Sequence, residues 1–91
     1  MTAPQVETTP NPNSLKFMSG DASFLEEGIA AYSSREEARG DPLARRLFSV
    51  AGVEDVFMTP QFVTVSKEPG AEWSHIKPEV ETILREYLEA A

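Results

Sequence analysis

The nine residues Thr9–Phe17 constrain the fold of this 91-residue chain most strongly, because a rigid turn runs directly into a strand pattern. Pro10 and Pro12 fix their own φ angles and push the residues before them towards extended conformations. The Asn and Ser side chains of this stretch can bond nearby backbone groups. Lys16 then separates two apolar residues, as in a half-buried strand. The stretch therefore predicts a stiff loop that leads into a strand.

Further strands are predicted where β-branched and aromatic residues alternate with polar ones. The predicted strands are Val6–Thr9, Ser14–Met18, Ile29–Ser33, Glu54–Met58 and Phe62–Lys67. The last two are separated by three residues that include a proline, which favours a hairpin. We assign the valines of the last strand to the core.

The clearest helix signal lies in the middle of the chain. Asp41 can cap the first turn, Pro42 suits the first helical position, and Gly52 can end the helix, so a helix is predicted over 42–51. Before it, Ser34 and Glu37 have the spacing of a capping box and predict one helical turn.

A second amphipathic helix is predicted at the end of the chain, where apolar residues recur every three or four positions. Pro78 is placed in its first turn, which leaves Trp73–Lys77 as an irregular lead-in. The order of elements predicts an α/β fold of the α+β type. We expect a two-layer sandwich, with an antiparallel or mixed sheet and both main helices on one face.

Composition limits the size and the partners. Residues 1–91 suit one domain, with residues 1–5 predicted to be frayed. The net charge of −7 disfavours nucleic acid and anionic membranes as partners. The first residues lack the pattern of a signal peptide or a presequence, which predicts a cytoplasmic location, and a monomer is favoured over an oligomer.

The residue types present in this chain do not allow a catalytic triad. The chain has one histidine, His75, and no cysteine, so a nucleophile, a base and a supporting third group cannot be combined. The acidic pairs lack the oxygen-ligand spacing of a calcium loop, and a weak carboxylate site with His75 is not favoured by the spacing. We expect no enzyme activity, no catalytic residues, no metal ligands and no cofactor bound by this chain alone.

Several segments together resemble one known family. In order they read T-P-N-P-N-S-L-K-F, D-P-L-A-R-R-L-F, G-V-E-D-V-F and P-Q-F-V-T-V-S-K-E, followed by Trp73 and Lys77-Pro78. This arrangement is similar to the N-terminal domain of the Nfu/NifU-type iron-sulfur cluster scaffold proteins, over about residues 6–87. In that family a second domain holds the cluster with a C-x-x-C pair, which this chain lacks. The chain is either a stand-alone relative or an excerpt of a longer protein.

The resemblance implies a non-enzymatic accessory module of iron-sulfur cluster assembly that acts through protein contacts. Its partners are expected to be assembly or recipient proteins. An adapter for an unrelated protein or small ligand remains the alternative, and an enzyme is the least favoured option. The candidate interaction residues are Asn11, Asn13, Lys16, Arg45 and Arg46. Of the two asparagines, Asn11 is expected to serve the loop and Asn13 to be exposed.

Overall fold

The computed structural model describes residues 5–20 and 22–90. Its strands are β1 (Gln5–Thr8), β2 (Ser14–Met18), β3 (Ala30–Tyr32), β4 (Val53–Met58) and β5 (Phe62–Lys67), and its α-helices are α1 (Pro42–Phe48) and α2 (Trp73–Ala90). A short 3-10 helix covers Glu37–Gly40. The residues predicted to be frayed lie mostly outside this description, although Gln5 begins β1.

The strands form one sheet in the order β1-β2-β5-β4-β3, and every neighbouring pair is antiparallel. Both α-helices cover the same side of this sheet. The predicted α+β fold with its helices on one face is therefore confirmed, and the sheet is antiparallel rather than mixed. Strands β4 and β5, which are neighbours in the sheet, form the predicted hairpin.

The core lies between the helices and one face of the sheet. Val63 and Val65 are fully buried there, as predicted, and Phe17 is buried against them from β2. The apolar side of α1 contributes Leu47 and Phe48 to the same core. The register places alternate residues of β2, β4 and β5 on the opposite, open face.

Helix α1 begins where the sequence predicts and ends earlier. The Asp41 carboxylate accepts hydrogen bonds from the backbone N–H groups of Leu43 and Ala44, both at 3.1 Å. The helix ends at Phe48 rather than at residue 51, because the Ser49 hydroxyl donates to the Arg46 carbonyl and the next turn tightens. Gly52 follows with a φ of 96°.

The prediction for the start of α2 is wrong. The helix begins at Trp73, so Pro78 lies inside it and Trp73–Lys77 are helical. The early turn is held by the Glu72 carbonyl, which accepts from the backbone N–H groups of His75 and Ile76. Ile76 is buried in the core, and this burial offsets the bond that Pro78 cannot make.

Candidate functional site

The loop before β2 is held by its own side chains. The Thr9 hydroxyl donates to the Asn11 carbonyl at 2.9 Å and accepts from the Asn11 backbone N–H at 3.1 Å. The Asn11 side-chain oxygen accepts from the Asn13 backbone N–H at 2.9 Å, which is an Asx turn. These bonds give Asn11 the structural role in the loop that the sequence predicts.

Asn13 also serves the fold, contrary to the expectation that it is exposed. It is half-buried, and its side-chain oxygen accepts a hydrogen bond from Lys67 Nζ at 3.0 Å. The Asn13 backbone carbonyl accepts from the Lys67 backbone N–H at 2.7 Å. The physical reason is that Lys67 lies on the buried side of β5, with only 8% of its surface exposed, and its ammonium group needs an acceptor there.

Three further contacts join the loop and its neighbours to the rest of the molecule. The Trp73 indole N–H donates to the Pro12 carbonyl at 3.0 Å, and Lys67 Nζ lies 5.9 Å from the centroid of the Trp73 ring. The hydroxyls of Ser14 and Ser66 are 2.7 Å apart. We call Asn13, Lys67 and Trp73 the loop clasp. It joins the loop to β5 and to the first turn of α2.

Sequence reasoning missed Lys67 as a member of this clasp. A signal was present, because Lys67 alternates in phase with Val63 and Val65, the two residues assigned to the core. A lysine on the core-facing side of a strand requires a nearby acceptor, and the loop opposite β5 supplies several.

Lys16 lies on the open face of the sheet. It stands opposite Thr64, between Leu15 and Phe17, whose side chains point towards the core. Its ammonium nitrogen lies 4.3 Å from the centroid of the Phe62 ring, within the range of a cation–π contact.

Arg45 and Arg46 are on the solvent side of α1, in the helical layer. Arg46 forms an ion pair with Glu86 of α2, with 2.6 Å between the nearest nitrogen and oxygen atoms. Together with Pro42 and Ser49, the two arginines line a shallow cleft of about 380 Å³. The helices and Lys16 are on opposite sides of the sheet, so the five candidate residues do not form one surface. Contact of any of them with a partner remains a prediction.

His75 is exposed at the side of a second shallow cleft, of about 590 Å³, which Glu68, Glu72 and Glu79 also line. Within residues 5–20 and 22–90, no three His, Asp or Glu side chains come together as a metal site. An iron-sulfur cluster does not fit the donor set of this chain either, because the thiolate ligands such clusters require are absent.

Asp41 combines its capping role with a contact to β3. The Tyr32 hydroxyl donates to its second carboxylate oxygen at 3.1 Å. Burial, and then the hydrogen bond to the Asp41 carboxylate and its negative charge, raise the pKa of Tyr32 above 10.0. This pair anchors the edge strand β3 to the start of α1.

The fold and the loop clasp define a class of small α+β domain in which a proline- and asparagine-rich loop is locked onto one end of an antiparallel sheet. The family model for the scaffold protein Nfu/NifU N-terminal domain matches residues 5–91. The chain therefore belongs to the Nfu/NifU scaffold family, through its N-terminal domain.

Individual relatives agree with this membership. An NFU1 iron-sulfur cluster scaffold homolog, mitochondrial, of Drosophila ananassae is 46% identical over 84 residues, which are 92% of this chain and 29% of the relative. The counterpart from Drosophila erecta is 43% identical over the same share of this chain and 30% of its own length. The chain thus spans less than a third of these curated relatives. Their names describe scaffold proteins rather than enzymes.

Solved structures show the same fold. A NifU-like protein from Saccharomyces cerevisiae matches with a TM-score of 0.87 and 29% identity, over 100% of this chain and 82% of that one. The crystal structure of a Staphylococcus aureus protein matches with a TM-score of 0.74 and 25% identity, over 91% of this chain and 98% of that one.

The names of the relatives also bear on the predicted location. The names of the Drosophila relatives place those proteins in mitochondria, which does not fit the cytoplasmic prediction. Among the residues described, no helix is long and apolar enough to cross a membrane.

Proposed function

We propose that this chain is a non-enzymatic accessory module of iron-sulfur cluster assembly, which acts through protein contacts and does not itself hold the cluster. Two observations carry the proposal: residues 5–91 match the scaffold N-terminal domain, and the sequence contains no cysteine. The cluster is then cargo that a partner carries with its own thiolates.

Among the five candidate interaction residues, the two arginines of the helical layer are the better candidates for contact with a partner. Asn11 and Asn13 are occupied within the loop, whereas Arg45 and Arg46 are exposed beside a shallow cleft. A guanidinium group can bind a carboxylate with two parallel hydrogen bonds, so we expect an acidic group of the partner at this position. The ion pair between Arg46 and Glu86 is solvent-exposed and is therefore weak enough to exchange.

The proposed partners are iron-sulfur assembly or recipient proteins, and we expect a monomer of this chain to bind them. Family membership supports this class of partner.

Affinity capture with a matched variant tests the proposal. The tagged wild-type protein and an Arg45→Ala, Arg46→Ala variant are incubated with the same source-cell extract, and the bound proteins are quantified. We expect cluster-assembly or cluster-receiving proteins to be enriched by the wild type and reduced at least about tenfold with the variant, as for loss of charged contacts in an interface. Enrichment of unrelated proteins alone would favour the adapter alternative and contradict the proposal.

A further inference from the structure

The open face of the sheet carries an apolar patch that the helical layer does not cover. Antiparallel sheets that are packed on one side present polar residues on the other. Here Met18 and Phe62 stand directly opposite each other on β2 and β5, and Phe57 follows on β4, opposite Thr64. Directly opposed residues project to the same face, so these three side chains form one patch.

The patch is continuous and partly exposed, and Lys16 Nζ contacts the Phe62 ring at its side nearest β1 and β2. The ring centroids of Phe57 and Phe62 are 6.1 Å apart, and 36% of Phe57 is exposed. Ile29, directly before β3 at the sheet edge, is 69% exposed. Large apolar side chains grouped in this way on a folded surface mark an interaction site more often than scattered ones do.

The charges around the patch are mostly negative. Among the described strand residues of the open face, Lys16 is the only cation, and Glu7 stands directly opposite it on β1. Asp55 lies on the same face of β4, two residues before Phe57 and next to the exposed Glu54.

We infer that this open face docks a partner protein segment with an aliphatic ridge flanked by Lys or Arg side chains. The apolar ridge would cover Phe57, Phe62 and Met18, while the basic flanks would face the carboxylates at the margin. The net charge of −7 favours the approach of such a segment over long range. The inference rests on the proposed function, in which the chain acts through protein contacts, and it adds a second surface opposite Arg45.

Charge also argues against two other occupants of the face. Aromatic residues on a sheet can stack with nucleic-acid bases, but the acidic margin repels the phosphates. A second copy of this chain would bring another charge of −7 to the interface. The experiment below includes a measurement of self-association, which tests the second copy.

The test uses a synthetic helical peptide of about 18 residues, with leucines along one face and lysines on both flanks. The 15N-labelled protein is titrated with this peptide, and amide shifts are followed by NMR. We expect saturable shifts concentrated at Met18, Phe57 and Phe62. The Phe57→Thr variant, which keeps a strand-forming residue, should bind at least about tenfold more weakly.

Three controls keep the result specific. An Arg85→Ala variant, altered at an exposed position of α2, should bind as the wild type does. A peptide with glutamates in place of the lysines should bind at least about tenfold more weakly. Thermal melts of Phe57→Thr confirm that it is folded.

Several outcomes would overturn the inference: shifts confined to α1 and α2, no saturable shifts, equal binding of the acidic peptide, or unchanged binding by folded Phe57→Thr. Self-association in sedimentation that Phe57→Thr abolishes would assign the face to a second copy instead. Since the peptide is not an assembly protein, its failure here leaves the capture experiment on Arg45 and Arg46 unaffected, and the two proposals fail separately.

Discussion

Lys67 Nζ and Asn13 Oδ1 are 3.0 Å apart, although 54 residues separate them in the sequence. The ammonium group also lies 3.4 Å from the Glu68 carbonyl oxygen. Within residues 5–20 and 22–90, both hydrogen-bond acceptors of this largely buried ammonium group are neutral oxygens. The asparagine therefore stabilises the charge of a lysine whose aliphatic part packs on the core side of β5.

Removing the Asn13 side chain should lower the stability of the fold as long as Lys67 is present. We expect Asn13→Ala to lower the free energy of unfolding by about 1.5 to 3 kcal/mol, because a buried charge loses a hydrogen bond. Asn11→Ala, which removes one bond within an exposed turn, should cost about 1 kcal/mol. Urea denaturation of both variants measures the difference.

A double-variant cycle separates the charge from the loop. In a Lys67→Met background the ammonium group is gone, so Asn13→Ala should cost less than about 1 kcal/mol there. An Asn13→Ala cost that is the same in both backgrounds would show that Asn13 acts on the loop alone, without Lys67.

The second prediction concerns which face of α1 is buried. Phe48 is 6% exposed and belongs to the core, whereas Arg45 points to solvent. Phe48→Ala should lower the free energy of unfolding by about 3 to 5 kcal/mol, a large part of the stability of so small a domain, and Arg45→Ala by well under about 1 kcal/mol. Similar denaturation midpoints for the two variants would contradict the assignment of this face.

The contact between Tyr32 and Asp41 predicts a dependence on alkaline pH. Burial and the neighbouring carboxylate raise the pKa of Tyr32 in the folded state, so its contribution to stability is fully present below pH 10.0 and is lost as the pH rises through the raised pKa. Tyr32→Phe should cost about 1 kcal/mol at neutral pH through the lost hydrogen bond.

Denaturation from neutral pH to above pH 10 tests this directly. The stability of the wild type should fall towards that of Tyr32→Phe as the tyrosine ionises. A difference between the two proteins that stays constant over the whole range would exclude ionisation of Tyr32 as the cause.

Much of the fold follows from local signals in the sequence. The ends of β2 and β5 are those predicted, because a proline-rich turn or a short hairpin loop bounds each strand. The start of α1 at Pro42 follows from its aspartate cap. These features depend on residues a few positions apart, which a sequence shows directly.

Features that depend on distant residues were not predictable in the same way. Pro78 argues locally for a later start of α2, whereas the burial of Ile76 and the hydrogen bond from Trp73 to Pro12 stabilise the extra turn through distant residues. The separation of Lys16 from Arg45 and Arg46 depends on which side of the sheet the helices pack. The sequence predicts an exposed Asn13 because its neighbours give no sign of its partner Lys67, which lies 54 residues further along the chain.

Anaerobic reconstitution with iron and sulfide most directly tests the claim that this chain serves cluster assembly without holding the cluster. The purified protein should show no visible cluster absorption beyond that of a buffer control, because it offers no thiolate. A matched sample of a C-x-x-C scaffold protein, treated in parallel, shows that the conditions form clusters. A stable brown, sulfide-containing species at one cluster per chain or per dimer would contradict the account.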